Sequence, residues 1–258
     1  MSDYSELAEL AEYAASIGGL IVADAFGAPR EFSAKGPGDW VSEIDLRSEE
    51  AIRTVLESSG LPVFGEEAGG ERSALGWLVD PLDGTTNFLR GIAAVGVSVG
   101  LVADGVPVAG AVYAPMLSEM YTASFGDGAY RNSERIGVAA RDVAHAITAT
   151  GLPFRRKARL DEYWPFFRAA FAALEDVRRI GAASLDLAWT AAGVVDGYFE
   201  LSLGPWDVAA GACIVREAGG IVTDWHGDAN AWLNSGDVIA ASPPVHAALL
   251  AIAEDARA

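Results

Sequence analysis

The stretch Gly76-Trp77-Leu78-Val79-Asp80-Pro81-Leu82-Asp83-Gly84-Thr85-Thr86-Asn87-Phe88 constrains the fold more than any other part of the chain. Trp77 to Val79 form a short continuous apolar run, the pattern of a strand buried on both faces, and the run stops at a carboxylate. Pro81 has a fixed φ and no N–H to give to a ladder. The spacing therefore places Asp80 at a strand end and turns the Leu82 carbonyl to the same side as Asp80 and Asp83. Gly84-Thr85-Thr86 then opens a helical turn whose free N–H groups face whatever the acids hold. Oxygen donors of this kind suit a hard divalent ion such as Mg²⁺ carrying a phosphate. An acidic turn with Asp83 as a helix N-cap is the alternative reading of the same residues.

Spacing separates this stretch from another phosphatase motif. Haloacid-dehalogenase phosphatases use Asp-x-Asp-Gly-Thr, with a nucleophilic Asp two residues before the second one. Pro81 occupies that position here, and the spacing of three between Asp80 and Asp83 argues against a phospho-aspartate mechanism built on this motif.

Composition narrows the partners. The chain has 258 residues, 51% of them hydrophobic, enough for one large core or two tightly joined halves. Its 36 acidic and 18 basic residues give a net charge of −18, and its longest basic cluster is Arg155-Arg156-Lys157. That balance argues against nucleic acid and against an anionic membrane surface. An anionic substrate would need bound metal to supply positive charge. The amino terminus has no basic start or apolar core of a signal peptide, which reads as cytoplasmic. Cys213 is the single cysteine, so no disulfide framework exists, and its apolar flanks suggest a packed helical residue.

Leu7, Leu10, Ala14, Ile17 and Ile21 recur at helical spacing, which predicts an amphipathic helix over roughly residues 4–26. Phe32 to Ala34 reads as a short strand, followed by the breaker Lys35-Gly36-Pro37-Gly38 with its lone cation. Ser42-Glu43-Ile44-Asp45 fits a capping box at the start of a helix. Capping alone accounts for Asp45, although the helix dipole would also keep it ionised as an acceptor for a hydroxyl proton. Leu61 to Phe64 leads into Gly65-Glu66-Glu67, a second apolar segment that ends in acid. Ala94–Val102 and Val106–Ala114 predict a buried hairpin, and Met120–Ala123 a further strand.

The rhythm changes near residue 142, giving an antiparallel first half over 1–141 and an alternating strand-and-helix half over 142–258, joined as one compact unit. Strands are predicted at Ala146–Thr150, Val177–Ile180, Val194–Leu201, Ile221–Asp224 and Val238–Ala241. Helices are predicted at Tyr163–Leu174, Leu185–Ala192, Val208–Ala218 and from about Pro244. Asp207 lies just before one of them and reads singly as an N-cap or a first-turn acid.

Taken together, Gly65-Glu66-Glu67, Asp80-Pro81-Leu82-Asp83-Gly84-Thr85-Thr86 and Trp206-Asp207 with Glu217-Ala218-Gly219-Gly220 form a pattern. It closely resembles the inositol monophosphatase family of Mg²⁺-dependent, Li⁺-sensitive phosphomonoesterases, and the resemblance runs over nearly the whole chain. It implies an α/β fold, a layered α/β/α/β/α sandwich of the inositol monophosphatase and fructose-1,6-bisphosphatase type, and commonly a homodimer. By the same resemblance Glu66, Asp80, the Leu82 carbonyl, Asp83 and Asp207 match metal-ligand positions, Glu66 doubling as a catalytic position. Thr85 with Asp45 matches the pair that orients the attacking water. Gly84 and Thr85 match phosphate-holding amides beside Asp83, and Ala183 and Glu200 fall where the substrate's hydroxyls are contacted. Lys35 and Glu67 are further candidates. The expected substrate is a small-molecule phosphate monoester, inositol 1-phosphate first. Fructose 1,6-bisphosphate, histidinol phosphate and 3′-phosphoadenosine 5′-phosphate are alternatives, and a phosphate-sensing relative without activity would show eroded metal acids, none of which is missing.

Overall fold

The computed structural model describes residues 4–27, 32–36 and 39–257. In chain order the first elements are α1 (Ser5–Ala25), β1 (Phe32–Gly36), β2 (Asp39–Ser42), α2 (Glu43–Leu56), β3 (Val63–Gly65), β4 (Leu75–Asp83) and α3 (Thr85–Arg90). Strands β5 (Gly96–Ala103), β6 (Val106–Ala114), β7 (Glu119–Ser124), β8 (Gly128–Arg131) and β9 (Glu134–Ile136) follow. Then come β10 (Ile147–Thr150), α4 (Leu160–Ala173), β11 (Asp176–Arg178), α5 (Ala183–Ala191), β12 (Gly197–Glu200), α6 (Pro205–Glu217), β13 (Ile221–Thr223), α7 (Trp232–Ser235), β14 (Val238–Ala241) and α8 (Pro243–Asp255).

Strands β3 to β9 form a seven-stranded sheet in sequence order, antiparallel except for the parallel β3–β4 pair. The second sheet runs β11-β10-β12-β14-β13, parallel at β10 and antiparallel around β14. Five layers result. α1 and α2 cover one face of the large sheet, α5 and α6 lie between the sheets, and α4 and α8 cover the far face of the small sheet. The layered α/β/α/β/α fold is the one the resemblance implies.

Small residues set the spacing of these layers. In α1 the fully buried stripe is Ala11, Ala14, Ala15, Gly18, Gly19 and Val22, whereas Leu7, Leu10, Ile17 and Ile21 are only partly buried. The larger residues announced the helix, and the smaller ones let it approach α2 and β6. α6 is seated on the other face of the large sheet by the same means. A Cβ added at Gly110 would lie 2.8 Å from Ala210 Cα, and one at Gly100 would lie 2.7 Å from the Ala210 nitrogen.

Several boundaries differ from expectation for local reasons. α6 starts three residues early, at Pro205, because proline suits the first helical position and the Asp207 carboxylate accepts from the N–H of the N-cap residue Gly204. Pro81 does not end its strand. β4 runs on to Asp83, and the ladder absorbs the missing N–H in a register shift between Asp80 and Asp83. Cys213 is buried in α6. Lys35 falls in β1, and its side chain lies outside the described residues.

Gly110→Ala is expected to lower the unfolding free energy by about 1–3 kcal/mol, because the contact it meets is backbone and cannot rotate away. Urea denaturation checks this, and an unchanged midpoint would show that the sheet and α6 can separate freely.

Candidate active site

Strand register brings the acids together. Gly65 pairs with Val79 in the parallel β3–β4 ladder, and the Glu66 N–H donates to the Val79 carbonyl at 3.0 Å, which sets Glu66 beside Asp80. Asp80 pairs with Ser98 on β5. The Ser98 hydroxyl donates to the Trp206 carbonyl at 3.0 Å, bringing the first turn of α6, and with it Asp207, to the same place. One carboxylate oxygen from each of Glu66, Asp80 and Asp207 then lies within 4.8 Å of the others. Asp80 and Asp207 are buried, at 1% and 5% exposure.

Each acid is held by one oxygen or by its own backbone. Asp80 Oδ1 accepts from the Leu82 N–H at 3.0 Å, and Asp207 Oδ2 accepts from the Gly204 N–H at 2.8 Å. Burial raises both carboxyls above the usual range, helped by the charge of Glu66. Among the described residues, neither has an ion-pair partner, while Arg155 approaches Glu66 at 3.9 Å. Three converging carboxylate oxygens, two of them from buried side chains, with this little cationic compensation fit a hard divalent ion.

Asp83 stands apart from that group. Its Oδ2 accepts from both the N–H and the hydroxyl of Ser184, at 2.6 and 2.7 Å. Burial pushes it up to about 6, against those two bonds. It is not the N-cap of α3. Gly84 is, in the left-handed region at φ 87°, leaving the first-turn N–H groups of Thr85 and Thr86 without intrahelical partners beside the cavity.

The capping box at Ser42 is present, and it does more than cap. Asp45 Oδ2 accepts from the Ser42 N–H at 2.8 Å and from its hydroxyl at 2.5 Å, while Asp45 Oδ1 accepts from the Thr85 hydroxyl at 3.0 Å. The Leu82 carbonyl competes for the same Thr85 hydrogen at 3.1 Å. Burial raises Asp45, and the bonds from Ser42 and Thr85 oppose the rise.

A cavity of about 570 Å³ opens beside these groups, lined by Asp83, Gly84, Thr85, Ala183, Glu200 and Asp207 among others. Glu200 accepts from the Tyr198 hydroxyl, and burial pushes it up to about 7. Glu67 contributes differently. Its N–H and that of Ala68 donate to buried Glu49, at 2.7 and 3.1 Å, and Arg53 pairs with Glu49 at 2.7 Å. Glu49, Ser98 and Ser184 escaped the reading of the sequence. Each works through partners far along the chain, and each has an unremarkable local neighbourhood.

This arrangement is that of a layered α/β protein with a cluster of acids beside a cavity between its two sheets. A family model described as the inositol monophosphatase family matches residues 3–258. The chain is 42% identical over 227 residues to the inositol-1-monophosphatase of Mesorhizobium japonicum, covering 85% of each chain. It is 40% identical over 254 residues to Nus factor SuhB of Escherichia coli, covering 95% of each. The crystal structure of extragenic suppressor protein suhB from Bartonella henselae superposes with a TM-score of 0.91 at 36% identity, over 96% of this chain and 98% of that one. The chain belongs to the inositol monophosphatase family, which is generally metal-dependent.

Ser98→Ala removes the hydroxyl bond that ties the first turn of α6 to β5, while the Trp206 carbonyl keeps its helical partner. It is expected to cost about 0.5–1.5 kcal/mol of stability, read by urea denaturation in EDTA. Wild-type stability in this variant would show that the contact is incidental.

Proposed function

We propose that the protein is a Mg²⁺-dependent phosphomonoesterase that hydrolyses a small polyol phosphate, inositol 1-phosphate first, by direct attack of water. The observation that supports this most is the meeting of three carboxylate oxygens within 4.8 Å beside the Thr85–Asp45 pair. Glu66, Asp80, Asp83, Asp207 and the Leu82 carbonyl are the groups that would hold Mg²⁺. When bound there, divalent cations neutralise the phosphate, acidify water and stabilise the leaving alkoxide.

The remaining work belongs to the chain. Gly84 and Thr85 offer amides to the phosphate oxygens. The Thr85 hydroxyl gives its hydrogen to Asp45 Oδ1, so its lone pairs stay available to a water proton and aim that water in line with the ester bond. Ala183 and Glu200 face the polyol hydroxyls, Glu200 as an acceptor. Fructose 1,6-bisphosphate, histidinol phosphate and 3′-phosphoadenosine 5′-phosphate are the alternative substrates, and a cytoplasmic homodimer inhibited by Li⁺ belongs to the same proposal. Relatives named Nus factor SuhB give a regulatory reading its one specific observation. The complete acid set favours catalysis.

Mg²⁺ is expected to restore activity to EDTA-treated protein on a panel of these esters and to raise its thermal midpoint, because a ligand that binds only the folded chain stabilises it. Asp80→Asn and Asp207→Asn should lose both responses. Full turnover after verified metal removal would refute the metal-dependent reading, and a midpoint shift without turnover of any ester would favour the regulatory one.

The Thr85–Asp45 pair has its own test. If the pair aims water, Thr85→Ala and Asp45→Asn each lower kcat by about 10²–10⁴-fold with KM little changed, and the double variant is hardly worse than either single one. Normal turnover with reduced stability would leave Asp45 as a helix cap alone.

A further inference from the structure

Helix α2 carries two polar side chains where its core-facing stripe calls for apolar ones. Asp45, Ser48, Glu49 and Ile52 recur at helical spacing on one face and all are buried, Ser48 and Glu49 at 0% and 1% exposure. Asp45 is accounted for by its bonds with Ser42 and Thr85. A buried hydroxyl and a buried carboxylate are costly unless each meets a partner, so the partners define the role.

Both reach segments that carry acids of the site. The Ser48 hydroxyl donates to the Pro81 carbonyl at 2.9 Å, between Asp80 and the Leu82 carbonyl that accepts from Thr85. Gly18 of α1 leaves room for that hydroxyl, since a Cβ there would lie 2.8 Å from Ser48 Oγ. Glu49 accepts from the N–H groups that follow Glu66, from Glu67 on Oε2 at 2.7 Å and from Ala68 on Oε1 at 3.1 Å. On the other side of Glu66 the same carboxylate lies against Gly65, where any Cβ would collide with it. Arg53, one turn further along α2, pairs with Glu49 at 2.7 Å and donates to the carbonyls of Val63, at 3.1 Å, and of Gly69. The Gly65 N–H closes the loop on the Gly69 carbonyl at 2.9 Å.

One helix face thus grips the backbone on both sides of Glu66, the backbone between Asp80 and Asp83 and, through Asp45, the Thr85 hydroxyl. Buried ion pairs are weak sources of stability, because desolvation offsets much of the attraction. What Glu49 and Arg53 supply is direction. Carboxylates gathered within 4.8 Å repel one another, and a restraint from outside the group keeps them assembled. We infer that Ser48 and Glu49 are positioning residues for cation binding, fixing the Leu82 carbonyl and Glu66 from α2 so that the ligands are in place before a cation arrives. This rests on the metal-dependent reading and says where the affinity for the cation comes from.

Calorimetric titration of the EDTA-treated full-length protein with Mg²⁺ tests it. Ser48→Ala removes only a hydroxyl, and Glu49→Gln keeps the shape but turns an amide toward N–H groups that need acceptors. Each is expected to weaken Mg²⁺ binding by about 10–100-fold with the circular dichroism unchanged. At saturating Mg²⁺, kcat on inositol 1-phosphate should stay within about threefold of wild type, because the ligands themselves are intact. Ile239→Val, in the core under the small sheet, is the control for stability alone, and should lower the thermal midpoint without changing the Mg²⁺ affinity. Where Glu49→Gln does not fold, Ser48→Ala carries the comparison. Wild-type Mg²⁺ affinity in the folded variants, or a loss that Ile239→Val reproduces, overturns the inference and leaves the metal-dependent phosphatase intact. A wild-type protein that binds no Mg²⁺ refutes that reading, and the inference with it.

Discussion

Burial of like charges governs this structure. Glu66, Asp80 and Asp207 meet within 4.8 Å, two of them nearly inaccessible to water, and every element around them is arranged to hold that costly juxtaposition. The parallel β3–β4 register delivers Glu66, the Asp80–Ser98 pair delivers the centre, and the Ser98 bond to Trp206 delivers α6. Buried Glu49, with Arg53 behind it, pins the backbone just after Glu66. Such a cluster suits a cation as its partner, and the scaffold supplies its rigidity from outside.

The same device recurs at two helix starts. Asp45 and Asp207 each occupy the third position of their helix and accept from the backbone N–H of the capping residue. In Asp45 the other oxygen is turned to Thr85, and in Asp207 a carboxylate oxygen joins the acid group. Capping and chemistry are therefore not rivals for these residues. Such a first-turn acid is oriented by one oxygen and leaves the other available; the capping box read at Asp45 is present, whereas Asp207 is a first-turn acid and Gly204, not Asp207, is the N-cap.

Much of the fold could be read from the chain because apolar periodicity and turn residues are local signals. The β5–β6 hairpin, the last strand at Val238–Ala241 and the helix over Ser5–Ala25 fell close to where periodicity put them. Pro81 misled because the effect of a missing donor depends on the ladder across from it, and a register shift there lets β4 continue. Asp45, Glu66, Asp80, Asp83 and Asp207 could be picked out from their positions at element borders. Their mutual placement could not, since it rests on register and on partners such as Ser184, which lies 101 residues from the Asp83 it holds. The basic triplet was visible as composition, and only the folded chain shows that it lines a cavity.

The two sides of that cavity have separate origins. Most of the acids rise from β3 and β4 of the large sheet, and only α6 reaches across with Asp207. The facing wall is made of connecting segments, the stretch over 152–157, the turn between β11 and α5, and the residues after β12. Connecting segments tolerate replacement far better than sheet strands do. One wall can therefore be rebuilt piece by piece while the other, anchored in the sheet, keeps its shape.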